Sequence, residues 1–302
     1  MKTITLQGAN NLAIEAYEFE VKDPNAIFMV LHGSVDHKIH YVDFAEAMQQ
    51  EGILVVLPDL RGHGNSFEEK IGYLSNDHNG WELYKQDLSL IKKVYSEKYP
   101  SVPFFVSGHS MGAMLVQDWI TKESVDGAIL SGAGYTSPWL MQLGLFVIRQ
   151  EARKIGYDAR SPKLHQLIYG GLQSQAEKMG LESFITRDVE QRKRYKSDEK
   201  CQFIITVDYA NQLAKGILNV GRSKTYNIES ETPILMISGE KDPVVGVNNK
   251  YIKRIAKQYE KNGNPVTVYL YPDAFHNVLQ ELNRTEVFAD VAEWILSAIP
   301  AS

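Results

Sequence analysis

Short apolar runs recur along the chain, and their form predicts which of them are buried strands. Ala26–Leu31 (AIFMVL), Ile53–Leu57 (ILVVL), Phe104–Val106 (FFV) and Ala128–Leu130 (AIL) are continuous rather than alternating. That is the pattern of parallel strands covered on both faces. Helical patterns lie between them, for example Trp81–Tyr95 and Ala113–Thr121. Strand and helix in alternation predict βαβ units and an α/β fold with a doubly wound, mostly parallel sheet. The pattern resumes at Pro233–Ser238 (PILMIS) and Val266–Tyr271 (VTVYLY). It ends on a helix, Glu286–Ile299, whose Val287, Phe288, Val291, Trp294, Ile295 and Ala298 share one face. Thr3–Leu6 and Ala13–Glu20 alternate in polarity and predict a half-exposed antiparallel edge.

The stretch 135–228 breaks this rhythm. It holds no strand-like run, reads as helical, and carries 15 Lys and Arg against 9 Asp and Glu. The rest of the chain is acidic, since the whole carries a net charge of −5. Residues 1–134 and 229–302 are therefore expected to form the core, with 135–228 inserted as a helical cap.

Charge and composition exclude several classes. The net negative charge argues against nucleic-acid binding, which needs an excess of Lys and Arg. One cysteine, Cys201, permits neither an internal disulfide nor a zinc site of several cysteines. The N-terminal residues lack the charged and apolar regions of a signal peptide, and no apolar stretch reaches the roughly 18 residues of a membrane span. A cytoplasmic location is the expectation.

Candidate chemistry centres on Ser110 in GHSMG, Gly108–Gly112. Glycines two residues either side of a serine allow a sharp strand-to-helix turn that lifts the hydroxyl clear of the sheet. A strand pattern precedes this motif and an amphipathic helix follows it, as the turn requires. A serine hydroxyl needs a neighbouring base. His276 follows the last strand, at the end of the sheet where such folds bind ligands. Asp242, in GEKDPVV after PILMIS, is placed to orient that histidine, and the order Ser, Asp, His fits. Glu240 and Asp273 are rival carboxylates, and Asp242 has a second possible role as a cap for the turn that Pro243 begins. The backbone N–H groups of Ser34, after the strand AIFMVL, and of Met111 are expected to form an oxyanion hole.

With these motifs, the chain resembles the monoacylglycerol lipase and lysophospholipase group of α/β-hydrolases, which is also grouped with serine aminopeptidases. His32–Tyr41 (HGSVDHKIHY) resembles that group's HGxGEHxxRY, and Asp59–Ser66 (DLRGHGNS) resembles its DxxGHGxS. GHSMG and GEKDPVV match its nucleophile and acid motifs, and Phe184–Phe203 resembles the cap segment of bacterial members. Val35, Asp36 and His40 stand where the group usually has Gly, Glu and Arg. The resemblance implies an α/β-hydrolase core with a helical cap, a serine esterase needing no cofactor, and a small-molecule or lipid ester as substrate. An aminopeptidase of the same fold and a non-catalytic binding protein are the rival readings.

Within the cap, Ser137–Ile148 (SPWLMQLGLFVI) is apolar but too short to span a bilayer. Trp139, Leu143 and Phe146 are expected to line an acyl tunnel, and the basic cap to make transient contact with a membrane surface. Asp36, His37 and His40 lie close in sequence without a metalloprotease-like spacing, so no metal is expected. Arg61 and His63 are expected to brace a loop, His109 to point away from the site, and Cys201 to be buried and inert.

Overall fold

The computed structural model describes residues 1–299 apart from 76 and 230. Among these, one sheet contains β1 (Lys2–Gln7), β2 (Ala13–Phe19), β3 (Ala26–Leu31), β4 (Ile53–Pro58), β5 (Phe104–His109), β6 (Gly127–Ser131), β7 (Ile234–Gly239) and β8 (Val266–Tyr271). Their spatial order is β1-β2-β4-β3-β5-β6-β7-β8. From β3 onward neighbouring strands run parallel, whereas β2 pairs antiparallel with both β1 and β4. β3, β4, β5, β6 and β7 are buried at every position, as their unbroken apolar runs require.

The helices are α1 (Val42–Gln50), α2 (Gly80–Lys98), α3 (Met111–Trp119), then α4 (Pro138–Ile155), α5 (Pro162–His165), α6 (Gly171–Lys178), α7 (Val189–Ser197) and α8 (Val207–Val220) between β6 and β7, and finally α9 (Lys250–Asn262) and α10 (Arg284–Ala298). Two apolar layers sandwich the sheet. Phe44, Ala45 and Met48 of α1 pack with Val287, Val291 and Ile295 of α10 on one face. Helices α2, α3, α8 and α9 cover the other. This is the α/β-hydrolase architecture.

The inserted stretch is helical as expected, but its packing is not uniform. The last helix, α8, is buried along most of its length, with Val207, Tyr209, Ala210 and Leu213 in the same apolar layer as α2 and α3. Leu145 and Ile148 of α4 and Leu164 of α5 join the same layer, so several helices of the stretch pack into the core.

The strand order reverses between β3 and β5, and there the connections leave toward opposite faces. Such a point opens a crevice at the carboxyl ends of the strands. Beside it, the loop after β4 is pinned by Arg61. Its guanidinium is fully buried and bonds Asp87 of α2 through Nε and Nη2, each 3.0 Å, and the Ala9 carbonyl at 2.7 Å. Removing one partner of a buried pair strands the other's charge. Arg61→Ala should therefore cost about 3–5 kcal/mol, read as a lower denaturant midpoint at unchanged slope. A loss under about 1 kcal/mol, typical of exposed pairs, would contradict this account of the loop.

Candidate active site

Ser110 ends β5 and begins α3 with φ +52° and ψ −112°, a strained conformation for a residue with a side chain. Its flanking glycines make the turn possible. A Cβ on Gly112 would lie 2.7 Å from the His32 carbonyl oxygen and 2.8 Å from that of Leu31. A Cβ on Gly108 would overlap the backbone of Gly112. Helix α3 thus starts hard against the end of β3. Met111 opens that helix, so its N–H has no partner within it.

His276 lies in the loop after β8, almost fully buried. Its Nδ1 is 2.9 Å from Asp242 Oδ2. Asp242 makes both contacts open to it: Oδ2 meets the histidine and accepts a 3.1 Å bond from Ser238 Oγ, while Oδ1 accepts the Val244 N–H at 2.8 Å and caps the turn that Pro243 begins. The rivals are elsewhere. Glu240 is exposed, and Asp273 is a surface residue paired with Lys241 at 2.7 Å, which holds its carboxyl below the usual range.

Ser110, His276 and Ser34 line one small cavity of about 70 Å³, with Asp36, Tyr195, Asn277 and Gln280 among its other walls. A second cavity of about 330 Å³ shares Ser34 and Ser110 and continues from Met111 past Met114, Ile168, Leu213 and Ile217. A more open groove between α1 and α10 contains none of these groups.

Ser34 is held by two hydroxyls from the inserted stretch, one of them on α8. Its Oγ lies 2.5 Å from Tyr169 Oη and 2.5 Å from Tyr209 Oη, and Tyr209 Oη is 2.9 Å from His63 Nε2. Burial holds the His63 pKa down to about 4, so the ring is neutral. With Nδ1–H donated to the Arg61 carbonyl, Nε2 accepts from Tyr209 and the chain of bonds has one consistent direction. His32 is likewise kept neutral, chiefly by burial and then by His63. It accepts the Leu60 N–H on Nε2 at 2.9 Å and donates from Nδ1 to the Gly33 carbonyl. Val35, next to Ser34, has φ +55°, which explains why the resembled group usually carries glycine there.

Two expectations are corrected. Trp139, Leu143 and Phe146 are 67%, 54% and 59% exposed, and none lines either cavity. Helix α4 has two apolar faces, and the one packed inward carries Leu145 and Ile148. His109 does not point away: it borders the 70 Å³ cavity, with its ring 4.6 Å from that of His276. Burial and then the neighbouring imidazole hold its pKa well below the usual value. As expected, Arg61 and His63 brace a loop, and Cys201 is buried. Among the described residues no helix is long and apolar enough to cross a membrane.

Comparison with known proteins fits this geometry. The sequence model of the family described as Hydrolase_4, serine aminopeptidase S33, matches residues 22–283. The chain belongs to this family. Among its relatives, the monoacylglycerol lipase of Mycolicibacterium smegmatis is 24% identical over 91% of this chain and 89% of its own. The monoglyceride lipase of Homo sapiens is 24% identical over 90% and 82%. A thermostable carboxyl esterase from Bacillus coagulans superposes with a TM-score of 0.86 at 19% identity, covering 99% of both chains, which establishes the shared fold. The chain is thus placed among the lipases and esterases of the α/β-hydrolase fold.

Sequence reasoning missed Tyr169, Tyr209, Asn277 and Gln280, because no spacing links them to Ser34 or Ser110. The glycine geometry yields a test with a reversed sign. Alanine usually stabilises a helix by up to about 1 kcal/mol over glycine. Gly112→Ala should instead destabilise by about 1–3 kcal/mol, because its Cβ drives α3 away from β3. A raised denaturant midpoint for this variant would contradict the packing described.

Proposed function

We propose that the chain hydrolyses monoacylglycerols through an acyl-enzyme on Ser110. The observation that carries the reading is the meeting of Ser110 and the His276–Asp242 pair at one end of an apolar cavity. Ser110 Oγ attacks the ester carbonyl carbon while its proton passes to His276 Nε2. The new oxyanion is held by the Ser34 and Met111 N–H groups. As the C–O bond to the alcohol breaks, His276 returns the proton to the leaving oxygen. Water then repeats the sequence and releases the fatty acid. Asp242 fixes the imidazole tautomer and stabilises the imidazolium.

The two cavities support the choice of substrate. The 330 Å³ space is near the lower end for ligand pockets, which suits one acyl chain. The smaller space suits the alcohol. The amide residues Asn277 and Gln280 are among its walls, a polar lining that suits a polyol. Among the described residues no Lys or Arg lines it, which favours glycerol over a phosphate-bearing headgroup. The relatives' names, monoacylglycerol and monoglyceride lipases, agree. An aminopeptidase needs a carboxylate for the substrate's ammonium. The acidic residue lining the smaller cavity is Asp36. Burial pushes its pKa up, and its oxygens already accept from the His37 N–H and Tyr41 Oη. A binding protein would not require Ser110, His276 and Asp242 together.

The exposed apolar face of α4, with Trp139, Leu143 and Phe146, is suited to transient contact with a lipid surface from which substrate is drawn. Leu143→Glu should lower co-sedimentation with vesicles while leaving turnover of a water-soluble ester unchanged; equal sedimentation would rule this contact out.

Ser110→Ala should lower kcat by a factor on the order of 10⁶, and full activity would end the reading. Asp242→Asn should cost about 10⁴ in kcat, with Glu240→Gln nearly silent; the reverse order would move the acid to Glu240. Each buried CH₂ is worth about 0.8 kcal/mol, so kcat/KM over a series of glycerol monoesters should rise with chain length until the cavity fills. Rates that fall steadily from the acetyl ester would leave a small-ester hydrolase instead.

A further inference from the structure

Behind the loop that carries Ser34, side chains from two distant segments converge. His37 and His40 belong to the turn before α1, and Asp198 and Cys201 to the turn after α7. One ligand atom from each of the four lies within 4.8 Å of all the others. Asp198 Oδ2 is 2.7 Å from His37 Nε2 and 3.4 Å from His40 Nε2, and His40 Nε2 is 3.5 Å from Cys201 Sγ. Zinc–ligand bonds of 2.0–2.3 Å imply tetrahedral edges of about 3.3–3.8 Å. Two of these three separations already match, and the third needs a shift of well under 1 Å by a partly exposed carboxylate.

We propose that His37, His40, Asp198 and Cys201 bind one zinc ion that bolts the inserted segment to the core. The donors form two chelating pairs, His37-x-x-His40 and Asp198-x-x-Cys201, with the short spacing zinc sites use. A thiolate and a carboxylate balance the ion's two charges, which suits a site whose histidine and cysteine side chains are almost fully buried. On binding, the Cys201 thiol releases its proton to solvent and both histidines coordinate through the Nε2 lone pair. His37 then carries its proton on Nδ1, which has no hydrogen-bond partner and faces the buried carboxylate of Asp59 at 3.8 Å. A carboxylate behind a ligating imidazole is the usual supporting group of such sites. Four protein ligands leave no open position, so the ion's role is structural. It reinforces the bond from Tyr195 Oη to the Val35 carbonyl, 2.6 Å, which already ties α7 to this loop. The sequence argued against a metal at Asp36, His37 and His40 because no metalloprotease-like spacing accompanies them; Asp198 and Cys201 lie some 160 residues away in the chain.

The test uses the full chain stripped with a chelator and titrated with Co²⁺, then Zn²⁺. At one equivalent of Co²⁺ the spectrum should show tetrahedral d–d bands and a near-ultraviolet thiolate-to-metal band, both bleached by one equivalent of Zn²⁺. Cys201→Ser should abolish the thiolate band. His40→Arg, whose guanidinium can still pair with Asp198, should keep the circular dichroism spectrum and weaken zinc binding more than about a hundredfold. Zinc should raise Tm in the unaltered chain and in neither variant. No thiolate band at one equivalent, or equal zinc affinity in all three proteins, would overturn the proposal and leave a hydrogen-bonded latch.

Discussion

The site depends on one steric constraint: α3 must begin in contact with the end of β3. Glycine at 108 and at 112 is what permits it, because any side chain there meets backbone. Three consequences follow. Ser110 is forced to φ +52°, at a cost of about 1–3 kcal/mol. The Met111 N–H is left free at a helix start, and the loop after β3, with Ser34, is brought alongside it. The cost is borne by the fully buried strands β3, β5 and β6, whose pairing fixes the turn from both sides. The strain and the site have the same origin.

The insertion completes what the core begins. Backbone bonds from the His276 and Asn277 N–H groups to the Phe184 and Ile185 carbonyls, 3.1 and 2.8 Å, lay the segment over the histidine loop. Thr186 Oγ1 and Arg187 extend the seam to Gln280 and Glu281. On the other side, Tyr169 and Tyr209 grip Ser34. The groups that would surround a leaving alcohol therefore come from both the core and the insertion.

Much of the fold was legible because strands write themselves into composition, as unbroken apolar runs where both faces are buried and as β-branched and aromatic residues at the half-exposed edge. Ala26–Leu31 and Val266–Tyr271 have the same limits in sequence pattern and structure, and the others differ only at their ends. Ser110, Asp242 and His276 could be picked out because each sits in a local motif at a strand end, and the fold brings Asp242 and His276 within 2.9 Å. What could not be read was anything that depends on orientation between distant segments. The run Ser137–Ile148 is apolar on two faces of one helix, so hydrophobicity alone could not assign Leu145 inward and Leu143 outward. Tyr209 looks like one more buried aromatic until its hydroxyl is found on Ser34. His109 was misread because the residue before Ser110 lies on a strand whose opposite faces are both buried.

The central claim is that Ser110 is the nucleophile, activated by His276 and Asp242. Labelling with a fluorophosphonate, followed by peptide mapping, tests it most directly. The account predicts one adduct per chain, on the peptide containing Ser110, formed far more slowly in Asp242→Asn than in the unaltered protein. An adduct on a different residue, or labelling as fast in Asp242→Asn as in the unaltered chain, would contradict it.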